Sequence, residues 1–259
     1  MFQPAQAKDR TMTFTDKTIL ITGGNSGIGR ALAEALQAQG NRIIITGRKQ
    51  ASLQATLEAN PGMAGLELDV TDDAALAAFP DTLLEAHPDL DAVILNAGIM
   101  EAEDYTTDPV DLDSAERIIA TNFTAPIRLT AALLPHLRGR PEAAILTVSS
   151  GLAFVPKAST PVYSATKAAI HSWTQSLRHQ LRDTSVAVHE IAPPLVATEL
   201  TPGQSQVAAA MPLDAFIKEV VEILSRDAVP DEVLVSRVAF QRNAEAEGRH
   251  AEAFAAING

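Results

Sequence analysis

Short apolar runs alternate with alanine-rich segments along most of the chain. Apolar runs of about 4–8 residues that end in small or polar residues are typical of buried strands. They predict strands over Thr18–Ile21, Arg42–Thr46, Gly65–Val70, Ala92–Leu95, Ala144–Val148, Val186–Ile191 and Glu232–Val235. The segments between them predict helices over Arg30–Gln39, Ala51–Ala59, Asp73–Ala86, Ser114–Leu137 with an interruption at Pro126, and Tyr163–Ile170. Strands that alternate with helices indicate an α/β fold with a parallel sheet.

The first strand ends in a glycine-rich turn, TGGNSGIG over residues 22–29, which leads directly into the first helix. Glycines at such a turn let the backbone approach a pyrophosphate closely, and the amide groups at the helix start favour its negative charge. An ordinary turn is the alternative. The pattern predicts a Rossmann-like, doubly wound parallel sheet with helices on both faces, in three α/β/α layers. The candidate cofactor-binding residues here are Gly23, Asn25, Ser26, Gly27, Ile28 and Gly29.

The end of the second strand bears on which nicotinamide cofactor the chain prefers. Dinucleotide folds that prefer the non-phosphorylated cofactor usually place an acidic residue here to hold the ribose hydroxyls. This chain instead has Thr46, Gly47, Arg48 and Lys49. Arg48 is suited to pair with a 2′-phosphate, which predicts NADP(H) over NAD(H). A solvated basic pair that opens the next helix is the alternative.

Three later positions carry polar or small residues where the fold would meet a cofactor. Asp69, followed by Val70, is placed to bond an adenine edge, although the same residues are equally a helix N-cap signature. The sequence Asn96-Ala97-Gly98 ends the next strand and offers small residues for close approach of a ribose, or else a plain turn. Asn122 lies inside a helical segment, where amide side chains are disfavoured. A local kink, a bound water or a solvent-facing side chain would explain it.

The best candidates for chemistry lie between Ser149 and Ile170. Tyr163 and Lys167 are four residues apart, so on a helix both side chains share one face. A nearby ammonium favours the phenolate and lowers the phenol pKa from about 10, which would make Tyr163 a general acid or base. Ser150 follows an apolar run, at the carboxyl end of a strand, where open α/β sheets place their ligands. The alternatives are a packed ring with a snorkelling lysine and a serine that only forms a turn.

Composition restricts the class of protein. The 259 residues, 46% of them hydrophobic, are enough for one core, and we expect a single domain over residues 16–259 after a flexible arm over residues 1–15. A formal net charge of -12 argues against nucleic acid and anionic membranes as partners. Cysteine is absent, which excludes disulfides and thiolate zinc sites, and we predict no metal site. The first residues lack the apolar core of a secretory signal, so we expect a cytoplasmic protein.

These motifs, in their order and spacing, resemble the short-chain dehydrogenase/reductase family from Asp16 to about Thr198. The resemblance rests on the glycine turn, Asp69, Asn96-Ala97-Gly98, Asn122, Ser150 and the sequence Tyr163-Ser-Ala-Thr-Lys167. It implies that Tyr163 donates or accepts the proton and that Ser150 positions a substrate carbonyl. Lys167 would lower the phenol pKa and hold the nicotinamide ribose, and Asn122 would anchor a relay water. It also implies hydride transfer between a nicotinamide cofactor and a small carbonyl or alcohol, and a homodimer or homotetramer.

Two regions depart from the family pattern. The segment after the sixth strand has Pro194 where the family more often has glycine, although Pro193, Val196 and Thr198 remain candidates to contact the cofactor. Residues 197–213 are predicted to form the substrate loop, next to apolar residues that favour a moderately hydrophobic substrate. Residues 241–257 are predicted to form one additional closing helix.

Two other functions stay open at this point. A regulator that binds NADP(H) on the same fold without turnover is the main alternative, because a fold alone does not establish catalysis. Another reaction on the same scaffold, such as epimerisation or dehalogenation, is a further one. The joint presence of Asn122, Ser150, Tyr163 and Lys167 favours the enzyme.

Overall fold

Seven parallel strands form one sheet at the centre of the protein. The structure, a computed structural model, describes residues 12–110 and 112–259. The strands lie in the order β3-β2-β1-β4-β5-β6-β7. Strands β2 and β3 therefore extend the sheet on one side of β1, and β4 to β7 extend it on the other, so the strand order reverses between β1 and β4. Their bounds are β1 (Thr18–Ile21), β2 (Arg42–Gly47), β3 (Ala64–Glu67), β4 (Ala92–Leu95), β5 (Ala143–Val148), β6 (Val186–Ile191) and β7 (Glu232–Val233). The predicted doubly wound α/β fold is confirmed.

Helices cover both faces of the sheet. They are α1 (Gly27–Ala38), α2 (Gln50–Ala59), α3 (Asp73–Ala86), α4 (Leu112–Ile119), α5 (Ala125–Arg138), α6 (Pro161–Leu181), α7 (Leu213–Leu224), α8 (Ala239–Arg242) and α9 (His250–Asn258). A π-helical turn (Ala120–Thr124) joins α4 to α5, and short 3₁₀ turns lie at Gly151–Ala153, Gln204–Gln206 and Ser236–Val238. Helices α1, α2 and α7 pack on one face, and α3, α5 and α6 pack on the other, which makes three layers.

Alternate residues of each strand point into two separate cores. Ile19 and Ile21 belong to the core under α1 and α7, whereas Leu20, between them, belongs to the core under α3 and α5. All four residues of β1 are buried, as expected for a central strand covered on both faces. Each fully buried isoleucine or leucine contributes about 1.5–3 kcal/mol of transfer free energy. These cores hold the strand ends, and with them the candidate site, in place.

The helical segment after β4 is continuous, so the predicted interruption at Pro126 is wrong. The π turn carries Asn122, and its wider backbone bonding ends with the amide of Ala125 bonded to the carbonyl of Ala120. Pro126 then falls in the first turn of α5, where a missing N–H is tolerated. By length and composition the 27-residue run Leu112–Arg138 is long and apolar enough to cross a membrane. The apolar residues of α5, among them Leu129, Leu133 and Leu137, pack on the sheet as part of one helix layer.

Some predicted boundaries differ from the structure. Strand β3 ends at Glu67 instead of Val70, because the amide of Leu68 makes the last bond to β2 and the chain then turns through Asp69 and Asp72. Strand β7 ends at Val233. The predicted closing helix over residues 241–257 is wrong, since two short helices, α8 and α9, occupy this region. Gly248 lies between them at φ +69°, a left-handed conformation that no α-helix continues through.

Both ends of the described chain pack against the domain. Met12 and Phe14 are 3% and 2% exposed and belong to the core under α1, so the flexible arm expected over residues 1–15 is wrong at these positions. Residues 1–11 lie outside the described residues. At the other end, Ala244 and Ala253 pack around Val155, which lies between Ser150 and Tyr163 in the sequence. The C-terminal helices therefore lie next to the candidate site.

Candidate active site

The carboxyl end of β5 and the first turn of α6 bring Ser150 and Tyr163 together. Ser150 follows β5 and accepts a hydrogen bond from the amide of Leu152 at 3.1 Å, which fixes its side chain. Helix α6 begins at Pro161, a residue suited to the first turn of a helix, and places Tyr163 one turn before Lys167. The Ser150 side chain lies close enough to the phenol to favour its ionised form. All three side chains are buried, at 7%, 6% and 5% exposure respectively.

Burial dominates the electrostatics of this group. It raises the pKa of Tyr163 to about 12, and the nearby Ser150 hydroxyl only partly opposes the rise. The expected lowering of the phenol pKa by Lys167 is therefore wrong for the protein as described. The Lys167 ammonium donates to the carbonyl of Val148 at 2.8 Å and lies 5.5 Å from the centre of the Tyr163 ring, over its face. Burial also lowers the pKa of Lys167 to about 8, against the attraction of Glu190.

Asn122 connects the π turn to the loop after β4. Its Oδ1 accepts from the amide of Ile99 at 2.9 Å, and its Nδ2 donates to the carbonyl of the same residue at 2.9 Å. A longer bond of 3.3 Å runs from Nδ2 to the hydroxyl of Thr166 on α6. The side chain is 1% exposed, so the solvent-facing alternative is excluded. Asn122 ties together the helix, the loop and α6 beside Lys167, and the local irregularity expected there is the π turn.

The glycine turn fits a bound pyrophosphate. Gly23 and Gly27 have φ of +64° and +51°, conformations that L-residues rarely adopt. A side chain at Gly29 would place its Cβ 2.4 Å from the carbonyl oxygen of Gly23, so α1 can approach the turn only with glycine there. Ser26 is the N-cap of α1 but its side chain caps no amide, and the first turn carries no acidic residue. The amides at the start of α1 are therefore directed at a position suited to an anion.

The residues at the end of β4 are fixed by bonds to this turn. The Asn96 side chain donates to the carbonyls of Thr22 at 2.9 Å and Gly23 at 3.3 Å. The Thr22 hydroxyl in turn accepts from the amides of Asn96 and Ala97, each at 3.0 Å. A Cβ at Gly98 would lie 3.4 Å from Asn122 Oδ1 and 3.6 Å from Lys167 Nζ. Gly98 thus leaves open the space in front of the buried lysine.

Arg48 and Asp69 lie near each other at the ends of β2 and β3. Burial raises the pKa of the Asp69 carboxyl, but two hydrogen bonds from Thr71 and the charge of Arg48 lower it by more, so that this pKa lies below its usual value. The cap of α3 is Asp72, which accepts from two amides, so the helix-cap alternative for Asp69 is wrong. Arg48 is exposed, and Val70 is buried beside Thr22 and Ala97.

The segment after β6 returns towards the glycine turn. Pro193 accepts a hydrogen bond from the amide of Gly151 at 2.8 Å, which links this segment to the residue after Ser150. Thr198 lies 3.7 Å from the position of a Cβ at Gly27. Val196 pairs with Met211, so residues 197–210 form a loop closed at its base. The Gln204 side chain bonds to Val196 and Thr198 and holds the loop inward.

Sequence reasoning missed two groups of residues. Thr22 bonds both strand-end amides, and its position just before the glycines was the available signal. Glu190 is a charged residue inside β6, a strand whose sequence predicts burial on both faces. His171 lies one helical turn after Lys167 on α6. These two are paired, with 2.8 Å between His171 Nδ1 and Glu190 Oε2. A carboxylate in a buried strand needs partners, and that requirement was the signal for them.

The fold and the site define a class of protein. A glycine turn at the point where the strand order reverses is the usual dinucleotide site of open α/β sheets. Beside it, at the ends of β4 and β5, lie Ser150, Tyr163 and Lys167 with Asn122. These are the features of a nicotinamide-dependent oxidoreductase.

Comparison with known proteins specifies the family. The short chain dehydrogenase family model matches residues 17–208. An uncharacterized oxidoreductase, DltE, of Bacillus subtilis (strain 168) is 47% identical over 191 residues, 73% of this chain and 75% of that protein. The chain belongs to the short-chain dehydrogenase/reductase family.

Solved structures with low sequence identity support the fold. A short chain dehydrogenase from Burkholderia cenocepacia J2315, in complex with NADP, has a TM-score of 0.79 at 24% identity, covering 95% of this chain and 99% of that one. A 3-ketoacyl-(acyl-carrier-protein) reductase from Brucella melitensis, complexed with NADH, has a TM-score of 0.76 at 23% identity, covering 85% and 96%.

Proposed function

We propose that the protein is an NAD(P)(H)-dependent oxidoreductase that interconverts a carbonyl and an alcohol of a small, moderately apolar substrate. The observation that carries the proposal is the buried group of Ser150, Tyr163 and Lys167, in which the Lys167 ammonium lies over the Tyr163 ring one turn further along α6. Tyr163 is the general acid or base, Ser150 positions the substrate oxygen, and Asn122 holds the backbone around them. A regulator that only binds cofactor has no need of a buried phenol and ammonium at this position.

The protonation of Tyr163 suits the reducing direction. With a pKa of about 12, the phenol carries its proton at neutral pH. An alkoxide is a much stronger base than a phenolate, so the proton passes to the substrate oxygen as the alcohol forms. General acid catalysis of this kind contributes about 10²–10⁴ in rate. In the oxidising direction the same phenol must first lose its proton, so a high pKa makes that direction the more dependent on raised pH.

The residues present fit a nicotinamide dinucleotide. Such a cofactor, when bound, supplies or accepts the hydride. The glycine turn and Ser26 would hold its pyrophosphate, Asp69 and Val70 its adenine, and Asn96, Ala97 and Gly98 one ribose. Lys167 with Tyr163 would hold the nicotinamide ribose, and Pro193, Val196 and Thr198 would face the nicotinamide. The positions described above and the chemistry of the side chains support these roles.

We propose a preference for NADP(H) on the basis of Arg48. Its guanidinium is exposed beside Asp69, at the end of β2, where a 2′-phosphate would find a cation. The structural neighbours include one complex with NADP and one with NADH, so the preference depends on this chain's own residues. No carboxylate occupies residues 46–49, the position at which a ribose diol is usually bound.

The proposed substrate site lies under the closed loop of residues 197–210. Ile99 and Met100, after β4, and Leu152 and Phe154, after β5, are partly buried, and Leu200 is 39% exposed on the loop. Apolar walls of this kind favour an uncharged substrate with a hydrocarbon part. We also propose a homodimer or homotetramer, in which the exposed Leu112 and Ile119 of α4 would become buried.

The test is the oxidation of NADPH and of NADH, followed by absorbance against a panel of ketones, aldehydes and quinones. We expect turnover with NADPH to exceed that with NADH, and Tyr163→Phe to lose at least about 100-fold in kcat while it still binds NADPH. Tyr105→Phe is the matched control, because Tyr105 is the other tyrosine of the chain and is 54% exposed. Full activity in Tyr163→Phe would refute the assignment of the general acid.

Arg48→Ala tests the cofactor preference separately. We expect KM for NADPH to rise about 10-fold or more while KM for NADH changes little, because only NADPH carries the 2′-phosphate. An equal change for both cofactors would refute the role of Arg48. Tight NADPH binding with no turnover on any compound would favour the regulator instead.

A further inference from the structure

The turn that follows Ser150 fixes the direction of its side chain. The amide of Leu152 donates to the Ser150 hydroxyl at 3.1 Å, and Leu152 lies in the 3₁₀ turn Gly151–Ala153. Phe154 ends this turn, and its amide donates to the carbonyl of Gly151 at 3.1 Å. A shift of Phe154 is therefore transmitted through the turn to the amide that holds the Ser150 hydroxyl.

Two side chains from distant parts of the chain contact the Phe154 ring. The guanidinium of Arg242, the last residue of α8, lies over the ring at 4.9 Å from its centre. The ring of His171, on α6, packs edge-on against Phe154 with 4.8 Å between the two ring centres. Both arrangements are favourable, because a cation is attracted to the face of an aromatic ring and the edge of one ring to the face of another. They restrict the movement of Phe154.

Each of the two contacting groups is itself anchored by a carboxylate of the sheet. Glu232, on β7, accepts from Arg242 Nε at 2.6 Å and from Arg242 Nη2 at 3.0 Å, and two such bonds fix the plane of the guanidinium. Glu190, on β6, lies with its Oε2 2.8 Å from His171 Nδ1, and its Oε1 accepts from the hydroxyl of Ser149. Glu190 and Glu232 are partners in the register of β6 and β7. Both anchors therefore stand side by side on neighbouring strands.

These contacts hold the chain on both sides of Ser150. Ser149, directly before it, is bonded to Glu190, and Phe154, at the end of the turn after it, is contacted by Arg242. We propose that Arg242 is a positioning residue for Ser150, which acts through Phe154 and the turn that Phe154 ends. The proposal rests on the proposed function, in which the Ser150 hydroxyl positions the substrate oxygen. Arg242 acts only through other residues, so it is not a catalytic residue.

The first test is the steady-state kinetics of carbonyl reduction in Arg242→Met and Phe154→Leu. The first variant removes the guanidinium, and the second removes the aromatic ring while Arg242 and Glu232 stay paired. We expect each to lose about 5-fold or more in kcat/KM for the carbonyl substrate, as the loss of one cation–π contact would cause. The KM for NADPH should stay within about 2-fold of the wild-type value, because the glycine turn is left unchanged.

Arg249→Met is the matched control, because Arg249 also lies over an aromatic ring and binds a glutamate. Its guanidinium is 5.3 Å from the centre of the Phe240 ring, and it pairs with Glu247. This variant should keep the wild-type kcat/KM. The double variant Arg242→Met/Phe154→Leu should lose no more than the more impaired single variant, because the arginine acts through the ring. Losses that multiply in the double variant, or equal losses in Arg242→Met and Arg249→Met, would overturn the proposal.

The second test needs no activity, so it separates this proposal from the proposed function. Hydrogen exchange of the amides of residues 149–155 is followed by mass spectrometry in the wild type, Arg242→Met and Arg249→Met. Exchange should be about 5-fold faster in Arg242→Met alone, because the turn opens more often once Phe154 is released. Exchange at the wild-type rate in Arg242→Met would overturn the proposal. Faster exchange in this variant, with no carbonyl turnover by the wild type, would refute the proposed function but leave the hold of Arg242 on the turn established.

Discussion

Replacement of Asn122 by leucine tests how the π turn is held to the sheet. The side chain is 1% exposed and makes two bonds of 2.9 Å to the backbone of Ile99. Leucine is similar in size but leaves both the N–H and the C=O of Ile99 without these partners. An unsatisfied buried group costs about 1–3 kcal/mol, and a buried leucine recovers part of that as transfer free energy. We therefore expect Asn122→Leu to lower the free energy of unfolding by about 2–4 kcal/mol.

Urea denaturation followed by circular dichroism measures this loss. The matched control is Asn243→Leu, because Asn243 is exposed and follows α8, far along the chain from the π turn. That variant should stay within about 0.5 kcal/mol of the wild type. A loss in Asn122→Leu no larger than the control's would refute the reasoning, since it would mean that solvent satisfies Ile99 as well as the amide does.

Two further predictions concern other parts of the chain. Gly29→Ala puts a Cβ 2.4 Å from the Gly23 carbonyl oxygen, so both the affinity for NADPH and the unfolding midpoint should fall. A calorimetric titration with NADPH that gives the wild-type Kd would contradict this prediction. Burial lowers the pKa of His189 below its ordinary value of 6.5, so the folded state takes up its proton at lower pH than the unfolded state does. The free energy of unfolding, measured by denaturation at each pH, should therefore decrease as pH falls from 7 to 5. The decrease should be smaller in His189→Asn than in the wild type, whereas the control His179→Asn should behave like the wild type.

Much of the fold was predictable because the signals for it are local. The predicted ends of β1, α3, β4 and β6 coincide with those of the structure, since each element is a continuous apolar or helical pattern bounded by polar or turn residues. The single C-terminal helix was wrong because helix-forming residues predominate in its sequence, whereas in the structure turns over residues 243–249, with Gly248 in a left-handed conformation, separate α8 from α9. On either side of this break Ala244 and Ala253 pack with Val155, a contact with a residue distant in sequence that no local pattern predicts.

The candidate site was predictable in position but not in its electrostatics. Strand ends and helical spacing locate Ser150, Tyr163 and Lys167 relative to one another. The phenol pKa depends on how deeply α6 is buried, and the four-residue spacing alone suggested the opposite direction of shift. Glu190 was missed for a related reason, because its partners come from α6 and from the residue after β5, which are distant in sequence.

The C-terminal helices α8 and α9 bear on how substrate choice can differ between relatives of this chain. All four proposed catalytic residues lie within residues 17–208, the part that matches the family model. The segment between Ser150 and Tyr163, however, packs against residues beyond that part: Gln241 fills the space at Gly151, and the Asn258 side chain accepts from the amide of Ala158 at 2.6 Å. Substitutions in α8 and α9 can therefore reshape the proposed substrate entrance while the proposed catalytic residues are left intact. Relatives with the same four residues and a different C-terminal segment need not share a substrate.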